Sequence, residues 1–221
     1  MFDTAAARRM MVDGQVRTAD VTNLDLINAM LDIPRELFLP KAVADLAYLD
    51  SDIPLGAGRV LLKPMVLAKL IQAGQLDPSD HVLDVGCGTG YSSAILARLA
   101  GSVVALEQEP GLAEAAQQAL AAVGSHAGAG KVTVVTGPLT AGWPAAGPYD
   151  FILLNGATEV VPEAYAGQLK PDGRLACIYC PDAAGKAMIY RPVEGHLVGR
   201  SIFDAAGSIL PGFAAPKTFV F

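Results

Sequence analysis

Asp84-Val85-Gly86-Cys87-Gly88-Thr89-Gly90 sets an acid two residues ahead of three glycines at alternate positions. Glycine loses more conformational freedom on folding than any other residue, so glycines this dense mark backbone that takes positive φ or lies against a ligand. An apolar run, HVLDV, precedes the loop, and a helical pattern, YSSAILARLA, follows it. The glycines therefore sit where a strand turns into a helix, which is where open α/β sheets bind ligands. The dinucleotide fingerprint G-x-G-x-x-G does not fit, because its third glycine would fall on Tyr91. Glu107 closes the next strand, SVVALE, and a carboxylate at that strand end accepts ribose hydroxyls. Loop and acid together suit a nucleoside that carries no phosphate, and S-adenosylmethionine is such a ligand. Asp84 is placed to attract its amino group, directly or through water. The cofactor-binding set on this reading is Asp84, Gly86, Cys87, Gly88, Thr89, Gly90, Glu107, Gln108 and Asn155. Asn155 ends a later strand, where it either meets a ligand or caps the helix that begins near Val161.

Other residues with chemical potential are less well placed. Cys177-Ile-Tyr-Cys180 has C-x-x-C spacing, but no second ligand pair lies near it for a metal, and it closes an apolar run, RLACIYC, instead of opening a helix. It reads as two strand cysteines. His81, His126 and His196 are far apart in sequence and read as surface or strand-end residues. No metal site is expected. With Cys87, the chain has three cysteines, which do not make a disulfide framework.

The elements that must carry the loop follow a regular pattern. Residues 4 to about 19 read as a helix, and NLDLINAMLDI repeats apolar residues at helical spacing until Pro34 stops it. A short helical piece runs through Val43 and Leu46, SDIPLGAGRVLLKP reads as loop, and KPMVLAKLIQAGQL reads as a helix with Pro64 in its first turn. From residue 77 strands alternate with helices: HVLDVG, YSSAILARLAG, SVVALE, PGLAEAAQQALAAVG, KVTVVTG, YDFILLNGA, a helix over VPEAYAGQL, an LKPDG turn and RLACIY. Such alternation means βαβ units and a largely parallel, doubly wound sheet. KAMIYRPVEGHLVGRSIF reads as an antiparallel hairpin turning at Glu194-Gly195. No repeat or linker interrupts the chain, so one α/β domain is expected over 1–221. Within it, 1–76 form a helical cap and substrate segment, and 77–221 form the cofactor-binding sheet.

Composition narrows the partners. Hydrophobic residues make up 52% and charged residues 17% of 221, which suits a folded domain with one sizeable core. A net charge of −6 and the lack of any Lys/Arg cluster argue against a nucleic-acid backbone as partner. No apolar run reaches the roughly 18 residues of a membrane span. The opening MFDTAAARRMMVDGQ lacks the apolar stretch of a leader. The expected setting is cytoplasmic, with no membrane partner.

Several segments together resemble the protein-L-isoaspartate O-methyltransferase family. NAMLDIPRELFLP is similar to the family's P-R-E-x-F segment, and DIPLGAGRVLLKPMVLAKLIQ to its x-L-P-I-G-x-G-x-T-I-S-x-P segment. DVGCGTGYSSAILARL resembles its cofactor loop, and YDFILLNGATEVVPEAYAGQLKPDGRL its fourth strand, G-A turn, V-P helix start and L-K-P-G-G-R-L turn. LPGF near the C-terminus is similar to a V-P-L segment. The resemblance implies a seven-stranded methyltransferase fold, S-adenosylmethionine as cofactor, and methyl transfer to the α-carboxylate of isoaspartyl residues in damaged protein or peptide, a repair reaction. Two positions depart from it. Where the family has a Ser facing the substrate carboxylate, this chain has Leu62, and where it commonly has G-D-G with the Asp at the adenine amino group, this chain has Gly137-Pro138-Leu139. Lys63 is the candidate replacement for the missing hydroxyl. Arg59, Asn155, Thr158 and Glu159 are the other polar groups expected near the pocket. The departures leave open a different methyl acceptor or a homologue that binds the cofactor without catalysis.

Overall fold

The structure, a computed structural model, describes residues 3–124, 129–182 and 184–216. His126 lies outside them. The chain opens with α1 (Thr4–Met11), whose N-cap Asp3 accepts a hydrogen bond from the Ala6 amide. A π-helical turn (Val12–Val16) and a 3-10 turn (Arg17–Ala19) continue it to the end of the expected first helix. α2 (Leu24–Asp32) is capped by Asn23 and ends before Pro34. Two 3-10 pieces, Arg35–Phe38 and Lys41–Leu46, lead into β1 (Ile53–Gly56) and β2 (Arg59–Leu61). α3 (Pro64–Ala73) follows, with its proline at the first position.

The segment read as loop over 51–64 is thus an antiparallel hairpin, separate from the main sheet. Its reason is alternation: Ile53 and Leu55, then Arg59 and Leu61, point inward, while Pro54 and Gly56 point out. Gly56, Ala57 and Gly58 all take positive φ to turn the chain.

The remaining strands are β3 (His81–Val85), β4 (Ser102–Glu107), β5 (Val132–Thr136), β6 (Tyr149–Thr158), β7 (Leu169–Tyr179), β8 (Lys186–Val193) and β9 (His196–Asp204), with α4 (Tyr91–Leu99) after β3 and α5 (Pro110–Val123) after β4. They form one seven-stranded sheet in the order β5-β4-β3-β6-β7-β8-β9. β3 to β7 are parallel, and β8 and β9 are antiparallel. The chain moves outward from β3 through β4 to β5, then returns to the other side of β3 with β6. That reversal is the switch point of a doubly wound sheet. The last hairpin turns where expected, with positive φ at both Glu194 and Gly195, as a two-residue type I′ turn demands.

The two faces are covered differently. Val82, Phe151 and Leu153 pack with the helices of the cap, α3 and α4, while Leu83, Val85, Ile152 and Leu154 face the other way. That second layer is built from 3-10 turns, Leu139–Ala141, Pro144–Ala146 and Glu163–Gln168, and from Leu210 and Phe213. The helix expected over VPEAYAGQL is one of these turns. Pro138, Pro144 and Pro162 stand at or next to the starts of these turns, and Gly142 and Gly147 follow the ends of the first two. LKPDG is not a separate turn either. β7 runs through it, and Tyr149 pairs with Leu169 while Phe151 pairs with Arg174, so the extra residues bulge out.

Candidate functional site

β3 delivers the glycine loop between itself and α4, and the loop does what its composition predicts. Gly86, Gly88 and Gly90 all have positive φ, at 70°, 58° and 92°. The Gly86 and Cys87 amides donate to the carbonyl of Leu106 on the neighbouring β4, at 2.8 and 3.1 Å, which fixes the loop against the strand that ends in Glu107. The Cys87 side chain turns away, packing with Ala105 and Ala116, and burial pushes its thiol well up. Cys87 therefore offers the site only its backbone. The Thr89 hydroxyl donates to the carbonyl of Phe38, tying the loop to the cap.

Asp84 is fully buried at the end of β3. Its Oδ2 accepts from both Ser92 and Ser93 hydroxyls at 2.6 Å, and Asn155 Nδ2 donates to Ser92 Oγ at 2.6 Å. Asn155 thus joins this network and does not cap residues near Val161. Asp84 Oδ1 is buried with no hydrogen-bond partner. Burial pushes the Asp84 carboxyl up to about 6, against the opposing pull of the two serines. An orphaned carboxylate oxygen beside an open-backbone loop is suited to a cationic or hydrogen-bond-donating ligand group.

Glu107 is 0% exposed. Oε2 accepts from the Gly88 amide at 2.8 Å, and Oε1 accepts from the amides of Gln108 and Glu109 at 2.8 and 3.2 Å. The Gln108 side-chain Oε1 accepts from the Leu139 amide at 3.5 Å, so Gln108 lines the segment where Pro138 stands in place of an acid. Arg59 on β2 reaches this cluster. Its Nε lies 3.6 Å from Glu107 Oε2, and its Nη2 donates to the Gly86 carbonyl.

The residues expected at the acceptor side are arranged differently. Leu62 is 0% exposed and belongs to the core. Its carbonyl accepts from Arg35 Nη2 at 2.7 Å. Position 62 thus faces the interior and not a substrate, because the hairpin before it and the α3 proline after it turn its side chain inward. Lys63 is half-buried, its amide held by Asp52 Oδ1 at 2.8 Å. It lines an open groove of about 380 Å³ with Asp50, Ser51, Asp52, Gly207 and Ser208. Glu159 serves the C-terminal segment, while the Thr158 carbonyl accepts from the Cys180 amide. The Glu159 amide donates to Phe213, its carboxylate accepts from the Ala215 amide at 2.6 Å, and the Thr158 hydroxyl is buried without a partner.

Sequence reasoning missed Ser92 and Ser93. Their signal was two hydroxyls in the first turn of a helix whose face is otherwise apolar. It also missed Arg35, fully buried over the Tyr91 ring at 4.9 Å, which donates to the carbonyls of Ala47 and Leu62 and so couples the cap to the site. His81 binds Ser102 and the Ala146 carbonyl at the start of β3, the end away from the glycine loop. His196 is exposed. Cys177 lies in β7 and Cys180 just beyond it, both free. Among the described residues no group of three or more His, Cys, Asp or Glu is arranged to hold a metal ion, and no helix is long and apolar enough to cross a membrane.

Residues 7–183 match the family model for protein-L-isoaspartate(D-aspartate) O-methyltransferase. The chain is 42% identical over 173 residues to a protein-L-isoaspartate O-methyltransferase of Methylorubrum extorquens, covering 78% of this chain and 74% of that one. A protein of the same name from Ignicoccus hospitalis is 35% identical over 197 residues, covering 86% of this chain and 89% of the other. Among solved structures, a protein-L-isoaspartate O-methyltransferase superposes with a TM-score of 0.79 at 25% identity, over 93% of this chain and 66% of that one. A Plasmodium falciparum structure, described as a complex with S-adenosyl-L-homocysteine, shares the fold with a TM-score of 0.78 at 16% identity, over 95% and 99% of the two chains.

Proposed function

The chain belongs to the protein-L-isoaspartate(D-aspartate) O-methyltransferase family, and from that membership we propose that it methylates the α-carboxylate of isoaspartyl residues in damaged proteins or peptides. Proteins of this family use S-adenosylmethionine, which when bound supplies an electrophilic methyl group. The observation that carries the reading is the pair of buried acids at the ends of β3 and β4, with Asp84 Oδ1 left without a partner above a positive-φ glycine loop. Asp84 would hold the amino group, Glu107 the ribose, and the backbone of Gly86, Cys87, Gly88, Thr89 and Gly90 would lie against the ligand. Gln108 beside Leu139 would border the base. Asn155 acts through Ser92, keeping that serine aimed at Asp84.

The acceptor carboxylate is ionised at neutral pH, so the chain needs no general base. Its task is to position the acceptor and to exclude water. The groove of Lys63, Ser51 and Asp52 is the acceptor place this reading selects, with the Lys63 ammonium facing the substrate carboxylate. The same reading takes 1–221 as one catalytic domain, with 1–76 framing the acceptor, and places it in the cytoplasm. A second reading keeps the cofactor and changes the acceptor. It is favoured by the leucine at position 62, which carries no hydroxyl where the family presents one.

Incubation with an isoaspartyl peptide and methyl-labelled S-adenosylmethionine tests the proposal. The expected product is a base-labile methyl ester that releases methanol, absent with the matching aspartyl peptide. Cofactor binding without any ester on the isoaspartyl peptide would reject the proposed acceptor and leave the second reading.

A further inference from the structure

Arg59 stands in the place that the proposed function reserves for a ligand. It is 3% exposed and bridges the Gly86 carbonyl and the Glu107 carboxylate from the β1–β2 hairpin. The open faces of the glycines are filled from the same hairpin: a Cβ at Gly86 would overlap Arg59 Nη2, and one at Gly88 would lie 2.8 Å from Leu55 Cδ1. Backbone freed of side chains to admit a ligand is here covered by side chains of the protein itself.

Glu107 is correspondingly saturated. Three backbone amides fill most of the roughly four acceptor positions of a carboxylate, and Arg59 stands over what remains. A ribose hydroxyl reaches Glu107 only when Arg59 leaves. A guanidinium at this point also repels a sulfonium ligand, since like charges at short range in a low-dielectric site are unfavourable.

One donor of the contact is unmet. Arg59 Nε is buried without a hydrogen-bond partner, and a buried cation with unmet donors is held less firmly than one fully satisfied. The hairpin is not paired to the seven-stranded sheet. Its tip, Gly56-Ala57-Gly58, is exposed, and a Cβ at either glycine would meet nothing within 4 Å. The tip therefore has room to lift.

We propose that Arg59 is an internal occupant of the ribose place, holding the cofactor site closed in the free protein through Glu107 and Gly86, and that the cofactor enters by displacing the hairpin that carries it. This rests on the cofactor reading above. Calorimetry with S-adenosyl-L-homocysteine on the wild type and Arg59→Gln tests it, with a melting curve confirming that the variant folds. An occupant reduces apparent affinity by the fraction of open protein, so Arg59→Gln binds at least about tenfold more tightly. Equal or weaker binding by the variant overturns the inference while leaving the cofactor site standing. Binding by neither protein removes the cofactor reading, and the inference with it. Stopped-flow fluorescence of the single tryptophan, Trp143, which packs on Gly137, gives a test on the wild type alone. A closed site opens at its own rate, so the observed rate levels off as S-adenosyl-L-homocysteine rises, and a rate that climbs linearly throughout overturns the inference.

Discussion

Replacing Asp84 by asparagine probes the buried acid that carries the functional reading. Burial raises its carboxyl from an ordinary 3.8 to about 6. Between those values the folded protein binds more protons than the unfolded chain, so this group makes stability fall as pH rises through that window. Its destabilising effect is absent below about pH 4 and complete above about pH 6. A rise of that size at about 1.36 kcal/mol per pH unit amounts to about 3 kcal/mol. The Asp84→Asn side chain keeps the shape and an acceptor oxygen for Ser92 and Ser93 but carries no charge. Urea unfolding of both proteins from pH 4 to pH 8 therefore gives a stability difference, wild type minus variant, that drops by up to about 3 kcal/mol between pH 4 and pH 7. A difference that stays flat, or that grows in favour of the wild type as pH rises, would refute the claim that burial dominates at Asp84. The ligand readout runs in the opposite sense. An ammonium at Oδ1 favours the ionised acid, so S-adenosyl-L-homocysteine affinity of the wild type weakens as pH falls through about 6, and that pH dependence disappears in Asp84→Asn.

Glu107→Gln leaves the Arg59 cation buried without its counter-ion, at a cost of about 3–5 kcal/mol. Adding Arg59→Gln to it restores part of that stability in a double-mutant cycle, and a cost under about 1 kcal/mol for the single change would mean the pair is not formed. Leu62→Ser reinstates the family's hydroxyl but places it in the core, where a lost leucine costs about 2–5 kcal/mol and an unpaired hydroxyl adds about 1–3 kcal/mol. The protein should melt markedly earlier and methylate an isoaspartyl peptide no faster, whereas a rise in turnover would contradict the inward orientation of residue 62.

The architecture was largely legible because period and punctuation agreed. Apolar runs such as HVLDV and SVVALE separated by amphipathic stretches leave little choice but parallel strands. Glu194-Gly195 between two alternating runs could hardly be anything but a hairpin turn. The misreadings lie where proline and glycine punctuate heavily. Over 51–64 they suggest loop, yet they mark the exposed side and tip of a two-stranded hairpin whose inward residues are Ile53, Leu55, Arg59 and Leu61. Over 162–168 a helical composition yields only a 3-10 turn, which gives way at Leu169 to β7.

The site was legible to the extent that backbone conformation dictates residue type. Positive φ calls for glycine, so Gly86, Gly88 and Gly90 announced the loop, and strand ends announced Asp84 and Glu107. What holds those acids is set by contacts distant in sequence. Ser92 and Ser93 face back onto Asp84 from a helix, and Arg59 arrives at Glu107 from the hairpin. Leu62 gives the sharper case. In the motif it stands for a lost hydroxyl facing substrate. In three dimensions its side chain is core and its carbonyl holds Arg35. The side chain that reaches the glycine loop is instead Arg59, at a position the motif leaves unspecified. A motif records which side chains a family requires, but it says nothing of what an unconstrained position does once the chain folds over its own binding loop. Here that position places a cation on Glu107, the buried acid at the end of β4.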